Sequence, residues 1–232
     1  VFEKNRWAGG QFRIGAVPPG KGEMVNYTNW QLNELEKLNV PVLMETEVTP
    51  ELVKKENPDV IFAATGAEPI IPNIPGIDRP NVVTAHDVLG GKVNTGNRVV
   101  VMGGGCVGAE TANQLANYLK CVTIIEMLDA IAGDEIVVPR WDLLEDLDRN
   151  KVRICTKTTV DEITDAGVKV SGAVNEVIPC DTVVLAVGAK PVLGLADALK
   201  KEGYDVRVIG DAAKVGLGGE AIMEGFEVGR TI

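Results

Sequence analysis

Arg98-Val99-Val100-Val101-Met102-Gly103-Gly104-Gly105-Cys106-Val107-Gly108-Ala109-Glu110-Thr111-Ala112 is the stretch that decides the fold. Its apolar opening has the composition of a parallel strand buried on both faces. A glycine turn follows, and from Cys106 the spacing is helical. Gly103, Gly105 and Gly108 fill the pattern G-x-G-x-x-G. In such a turn the first glycine bends the backbone tightly, and the second admits a pyrophosphate where a side chain would stand. The third lets helix and strand pack closely, so that phosphates meet the positive helix N-terminus. The spacing alone arises often by chance, and its surroundings give it weight. Val122-Thr123-Ile124-Ile125 is a second apolar run, and it ends in Glu126, an acid about twenty residues past the turn. A carboxylate there accepts hydrogen bonds from both ribose hydroxyls of an adenosine and repels a 2′-phosphate, which favours NADH over NADPH. The candidate dinucleotide contacts are Gly103, Gly104, Gly105, Cys106, Val107, Gly108 and Glu126.

Composition narrows the remaining classes. The 232 residues suffice for one large or two modest domains. A formal charge of −10 argues against a nucleic-acid surface, which needs clustered Lys and Arg. No apolar run approaches the roughly eighteen residues of a membrane span. Cys106, Cys121, Cys155 and Cys180 include no C-x-x-C pair, so no zinc knuckle, cluster-binding run or dithiol redox centre is expected. They read as reduced, mostly buried thiols of a cytoplasmic protein. The chain opens on Val1-Phe2-Glu3-Lys4, without an initiator Met and in the manner of a strand end, so a segment of a longer protein is expected.

Outward from the turn, other segments follow the same grammar. Gly9-Gly10-Gln11 reads as a loop, and Val17 to Gly22 as another. Glu23 to Leu38 has the apolar spacing of an amphipathic helix, and Val40 to Val48 reads as a strand. Thr49-Pro50 predicts a capped helix start, ended by Asn57-Pro58. Val60 to Gly66 reads as a strand whose tip, Ala64-Thr65-Gly66, suits either a ligand's approach or close strand–loop packing. Ile70 to Pro80, rich in proline, reads as a stiff linker between lobes. His86 is the chain's one histidine, and either a general base or a helix-capping or surface role is open to it. Helices are expected over Cys106–Leu119 and Val137–Leu147, with short antiparallel strands between Val160 and Ile178. Thr182 to Gly188 is a strand with a second small-residue end. Val206 to Ile209 is another, tipped by Gly210-Asp211, where the acid suits a cofactor hydroxyl or an N-cap. A final helix is expected from Glu220 to Arg230.

As a set, these segments resemble the C-terminal half of the old-yellow-enzyme-like iron–sulfur flavoproteins. That group includes 2,4-dienoyl-CoA reductase, enoate reductase, NADH:flavin oxidoreductases and trimethylamine dehydrogenase. The resemblance rests on Glu3 with Gly9-Gly10-Gln11, on Ala64-Thr65-Gly66, on Gly103 to Glu110 with Glu126, on Ala186-Val187-Gly188 and on Gly210-Asp211. It implies an α/β fold of two Rossmann-like lobes of the pyridine nucleotide-disulfide oxidoreductase type. Residues 1–80 and 191–232 would form an FAD-type lobe lacking its first strand and glycine turn, and residues 81–190 an inserted NAD(H)-binding lobe. Glu3, with Lys4 beside it, would hold the adenosine ribose of FAD. Gly10, Gln11, Ala64, Thr65 and Gly66 would approach that cofactor, while Gly210 and Asp211 would meet a ribityl hydroxyl. Glu110 looks like the position facing the nicotinamide–flavin stacking site, and Gly188 ends a strand beside the nucleotide.

The resemblance further implies that FAD belongs to the intact parent protein. FMN and a 4Fe-4S cluster would lie in an N-terminal barrel half that is not in this chain. NADH would give a hydride to FAD, with electrons passing on to that half. Hydride transfer needs no side-chain nucleophile or acid–base pair, so no catalytic residue is named. An alternative within the same group is a structural module that holds ADP without turnover. Nucleotide cofactors and the barrel half are the expected partners, and homo-oligomerisation is left open.

Overall fold

The computed structural model describes residues 1–133 and 137–232. In chain order the elements are α1 (Gly10–Ile14), α2 (Glu23–Lys37), α3 (Pro50–Glu56), β1 (Ile61–Ala63), β2 (Ala67–Pro69), β3 (Val82–Thr84), α4 (Ala85–Leu89), β4 (Arg98–Met102), α5 (Cys106–Asn117) and β5 (Cys121–Ile125). They continue with α6 (Val137–Arg149), β6 (Arg153–Cys155), β7 (Thr158–Thr164), β8 (Gly167–Gly172), β9 (Glu176–Ile178), β10 (Thr182–Leu185), β11 (Ala189–Pro191), α7 (Gly194–Lys201), β12 (Val206–Val208) and α8 (Gly218–Gly229). The chain divides into two units, one of Val1–Arg13, Glu23–Glu68 and Ala189–Ile232, the other of Ile14–Gly22 and Pro69–Gly188.

The second unit is built on a five-stranded parallel sheet in the order β3-β10-β4-β5-β6. Its central strands are valine runs because both faces are covered, as parallel sheets require. Period-two alternation along β4 sends Val99 and Val101 to one face and Val100 to the other. The first face packs on α5 and α6 through Ala109, Ala112, Leu115 and Leu147. The opposite face packs on the antiparallel sheet β7-β8-β9 through Val160, Ile163, Val168 and Ile178. Each fully buried Val or Leu contributes about 1.5–3 kcal/mol of transfer free energy. At the sheet's amino end Asp181 fastens β4 beside β10. Its Oδ2 accepts the N–H of Arg98 at 2.8 Å and of Asn97 at 3.1 Å, and its Oδ1 accepts from the Arg98 guanidinium at 2.7 Å.

The proline-rich segment read as a linker lies in this unit. Ile74 and Ile77 pack against the second core cluster, and Ile163 donates its N–H to the Pro75 carbonyl. Gly76, at φ +83°, permits the approach, because a Cβ there would run into the Ile163 carbonyl.

The first unit has a smaller core of Val53, Ala63, Ala196, Leu199 and Val206, set around the parallel pair β1 and β12. Thr49 caps α3 by accepting the Leu52 N–H, and Asn57 ends the helix in the left-handed region. Two expectations are corrected here. Val40 to Val48 makes no strand, only a single parallel bridge from Leu43 to Phe2. Pro41 brings no donor, and Glu45, whose N–H goes to the Asn5 carbonyl, turns the chain at φ +52°. Gly9-Gly10-Gln11 is not a loop throughout, since Gly10 and Gln11 open the short helix α1.

Candidate dinucleotide sites

At the carboxyl ends of β10, β4 and β5 the second unit presents the glycine turn. Gly103 leaves β4 at φ +99°, and a Cβ on it would strike the Ala186 carbonyl just past β10. A Cβ on Gly108 would strike the carbonyl of Gly103, so the third glycine is what lets α5 settle on the strand. Gly104 is wedged too, since a Cβ there would lie 2.6 Å from Ile131 Cγ2 and 3.1 Å from Glu126 Cβ. Gly105 is the N-cap of α5 in extended conformation, with no side chain to cap the helix and no acid in the first turn. The first turn of the helix thus brings no acid of its own to its positive end, which suits an anion site. Cys106 and Val107 form the first turn, with Val107 exposed.

Glu126 lies under this turn and is buried. Its Oε2 accepts the Gly104 N–H at 2.6 Å and its Oε1 the Leu128 N–H at 2.7 Å. Each carboxylate oxygen has a second lone pair, so both can still accept from a ribose diol. Farther along α5 the buried carboxylate of Glu110 is ion-paired with Lys21. Gly188, exposed at φ +101°, follows β10 and accepts the Ile70 N–H at 3.0 Å.

The first unit brings together residues far apart in sequence. Gln11 Nε2 donates to the Ala67 carbonyl at 3.2 Å and to Asp211 Oδ2 at 3.3 Å. Gly66, at φ +72°, lies beside that amide, and Thr65 donates its hydroxyl to the Val192 carbonyl at 2.6 Å. Asp211 also accepts the Gly216 N–H at 3.1 Å, while the N–H of Gly210 is taken by Glu224 at 2.6 Å. Gly10 (φ +46°) opens the helix that carries Gln11, and Ala64 is exposed. Glu3 closes a local turn, accepting the Asn5 N–H at 2.7 Å and its side-chain amide at 2.8 Å, with Lys4 exposed beside it.

The remaining candidates lie apart from these two groups of residues. Thr84, not His86, caps α4, accepting the Asp87 N–H at 3.1 Å. His86 is half-buried, and burial holds its imidazole below the ordinary histidine range. Of the four cysteines expected to be mostly buried, only Cys155 is, and Cys121, which opens β5, is exposed. Burial likewise raises the Cys155 and Cys180 thiols, so neither is an activated nucleophile. Among the described residues no His, Cys, Asp and Glu cluster could hold a metal, and no helix is long and apolar enough to cross a membrane.

A family model described as pyridine nucleotide-disulphide oxidoreductase matches residues 46–211. The chain belongs to that family. It is 40% identical over 212 residues to a bilirubin reductase of Mediterraneibacter gnavus, covering 91% of this chain and 33% of the relative. To an NADH oxidase of Thermoanaerobacter brockii it is 38% identical over 235 residues, covering 98% and 36%. Among solved structures, a 2-naphthoyl-CoA reductase in complex with 2-naphthoyl-CoA superposes with a TM-score of 0.96 at 32% identity, covering all of this chain and 36% of that one. The chain thus spans about a third of the length of the curated relatives it matches. The resemblance drawn from the motif set is borne out, as is the α/β fold with a parallel sheet core.

In this oxidoreductase domain the structure gathers Gly103, Gly104, Gly105, Cys106, Val107, Gly108 and Glu126 at one sheet end. Gln11, Gly66, Gly210 and Asp211 meet in the other unit. Sequence reasoning left out Lys21, Glu224 and the Ile131–Ala132 segment. Lys21 stands in a Pro- and Gly-rich loop 89 residues before its carboxylate partner, and no local pattern couples the two.

Proposed function

We propose that this chain is the NADH-binding, electron-input portion of a flavin-dependent reductase. It would take a hydride from NADH to FAD and pass electrons to an FMN and iron–sulfur half outside the given sequence. The observation that supports the reading most directly is the Gly103–Gly108 turn, shaped by backbone contacts that exclude any Cβ at 103 and 108, with a buried acid beneath it. The names of the relatives, reductases and an NADH oxidase, point the same way. When bound, the nicotinamide supplies the hydride, and that chemistry is the cofactor's own. The chain's part is binding and orientation. The uncapped start of α5 receives the pyrophosphate, Glu126 holds the adenosine ribose, and the Lys21–Glu110 pair fixes side-chain charge along the same helix.

In the first unit, Gln11 and Asp211 suit the hydroxyls of a flavin side chain, since both carry donors or acceptors within one hydrogen-bonded group. Residues 1–13 and 23–68 of this unit contain no G-x-G-x-x-G, and the part of FAD that its residues suit is the flavin side chain.

Cofactor choice follows from Glu126. Two unit charges about 4 Å apart at an effective dielectric near 20 repel by roughly 4 kcal/mol. Two amide donors already disperse the carboxylate's charge, which lowers the penalty for a 2′-phosphate to about 1–3 kcal/mol, on the order of tenfold to a hundredfold in affinity. Titration of both nucleotides into the wild type and Glu126→Ala, at one salt concentration, tests this. NADH should bind more tightly to the wild type, and the substitution should narrow the gap. Equal affinities in the wild type would refute the role given to Glu126.

A further inference from the structure

The segment after Glu126, residues 127–133, is built more heavily than a loop requires. Ile131 and Ala132 are buried, at 3% and 0% exposure. Ala132 stands at φ +48°, where an L side chain stays only if its surroundings hold it. Arg140 reaches back from the first turn of α6 to do so. Its Nε donates to the Ala132 carbonyl at 2.9 Å and to the Ile131 carbonyl at 3.3 Å, and its Nη2 donates to the Ile131 carbonyl at 3.0 Å. Ala132 in turn donates its N–H to the Gly104 carbonyl at 2.7 Å. The Ile131 side chain fills the space where a Gly104 Cβ would stand. Gly104 is thereby held at both backbone groups, its N–H by Glu126 and its C=O by Ala132.

We propose that Arg140 is a positioning residue for the dinucleotide turn. Its guanidinium fixes the left-handed turn at Ala132 and, through the Ala132 N–H, the orientation of the peptides between Gly103 and Gly105. The proposal rests on the reading of that turn as a nucleotide site. Arg140 would otherwise be a natural receptor for a 2′-phosphate. One edge of its guanidinium is committed to two carbonyls, however, which marks it as a brace. The fork geometry matters, because a lysine ammonium is a point donor and cannot span both carbonyls in the same way.

Two measurements on Arg140→Met test this. Affinity for NADH and NADPH should fall together, by about tenfold, and Ala132→Gly added to that variant should restore much of the loss, because glycine takes positive φ without help. Arg140→Lys should fall between the two. Without nucleotide, amide hydrogen exchange in Arg140→Met should quicken at residues 103–108 and 128–133 and stay unchanged in β7, β8 and β9. Loss confined to NADPH would make Arg140 a phosphate ligand and overturn the proposal. So would unchanged exchange at the turn, or no restoration by Ala132→Gly. If the wild type binds neither nucleotide, the nucleotide reading fails, and the exchange comparison still decides whether the brace exists.

Discussion

Gly108 and Gly105 are both motif glycines, and the structure gives them different work. A Cβ at 108 meets a backbone carbonyl that cannot move without shifting β4, so the residue serves packing. Gly108→Val should destabilise the second unit by about 2–4 kcal/mol, the upper range for overpacking against backbone, read as a lowered denaturant midpoint. Gly105 has an extended, negative-φ conformation that any residue adopts, so its backbone does not itself demand glycine. This difference was partly legible in the sequence, because the roles of the glycines follow from their order in the motif. The burial of Glu126 was not legible. It depends on Gly104 and Leu128 turning their amides toward it, and no spacing rule reports that. Lys21 was likewise hidden, since an ion pair across so long a stretch of chain leaves no periodicity behind.

At the level of elements, the strands of the second unit were readable because valine runs have few other uses. The cap of α3 was readable from Thr49-Pro50. The segment from Val40 to Val48 misled because its apolar content suggests pairing, while Pro41 lacks an N–H and Glu45 takes a positive φ, which breaks the ladder. Two element ends also set a pH dependence. Arg98 and two backbone amides hold the Asp181 carboxyl at about 2, below its ordinary value. A depressed carboxylate stabilises the fold fully above the unfolded value of about 4, and that contribution is lost as pH falls toward 2. His86 acts at milder acidity. Burial lowers its pKa, so the unfolded chain takes up a proton first, and stability declines as pH drops below about 6.5. Urea unfolding across pH should therefore show His86→Gln flattening the decline just below neutrality, and Asp181→Asn flattening only the decline below pH 4. A single steep loss shared by both variants would contradict the assignment.

For the whole molecule, membership of the pyridine nucleotide-disulphide oxidoreductase family and the parallel α/β core could be read from a handful of small-residue strand ends in the right order. The grouping of residues 14–22 with residues 69–188 could not, because loops carry no address in their composition. The claim on which the functional account turns is that the Gly103–Gly108 turn binds a dinucleotide through its backbone. Calorimetric titration of NADH into the wild-type chain and into Gly105→Val tests it most directly. Valine at the helix N-cap should cost on the order of 1 kcal/mol of stability, so the variant should remain folded by circular dichroism. The account predicts saturable NADH binding to the wild type and its loss, by a hundredfold or more, in the folded variant. A folded Gly105→Val protein that binds NADH as the wild type does would show that the turn is structural and that no pyrophosphate rests on it.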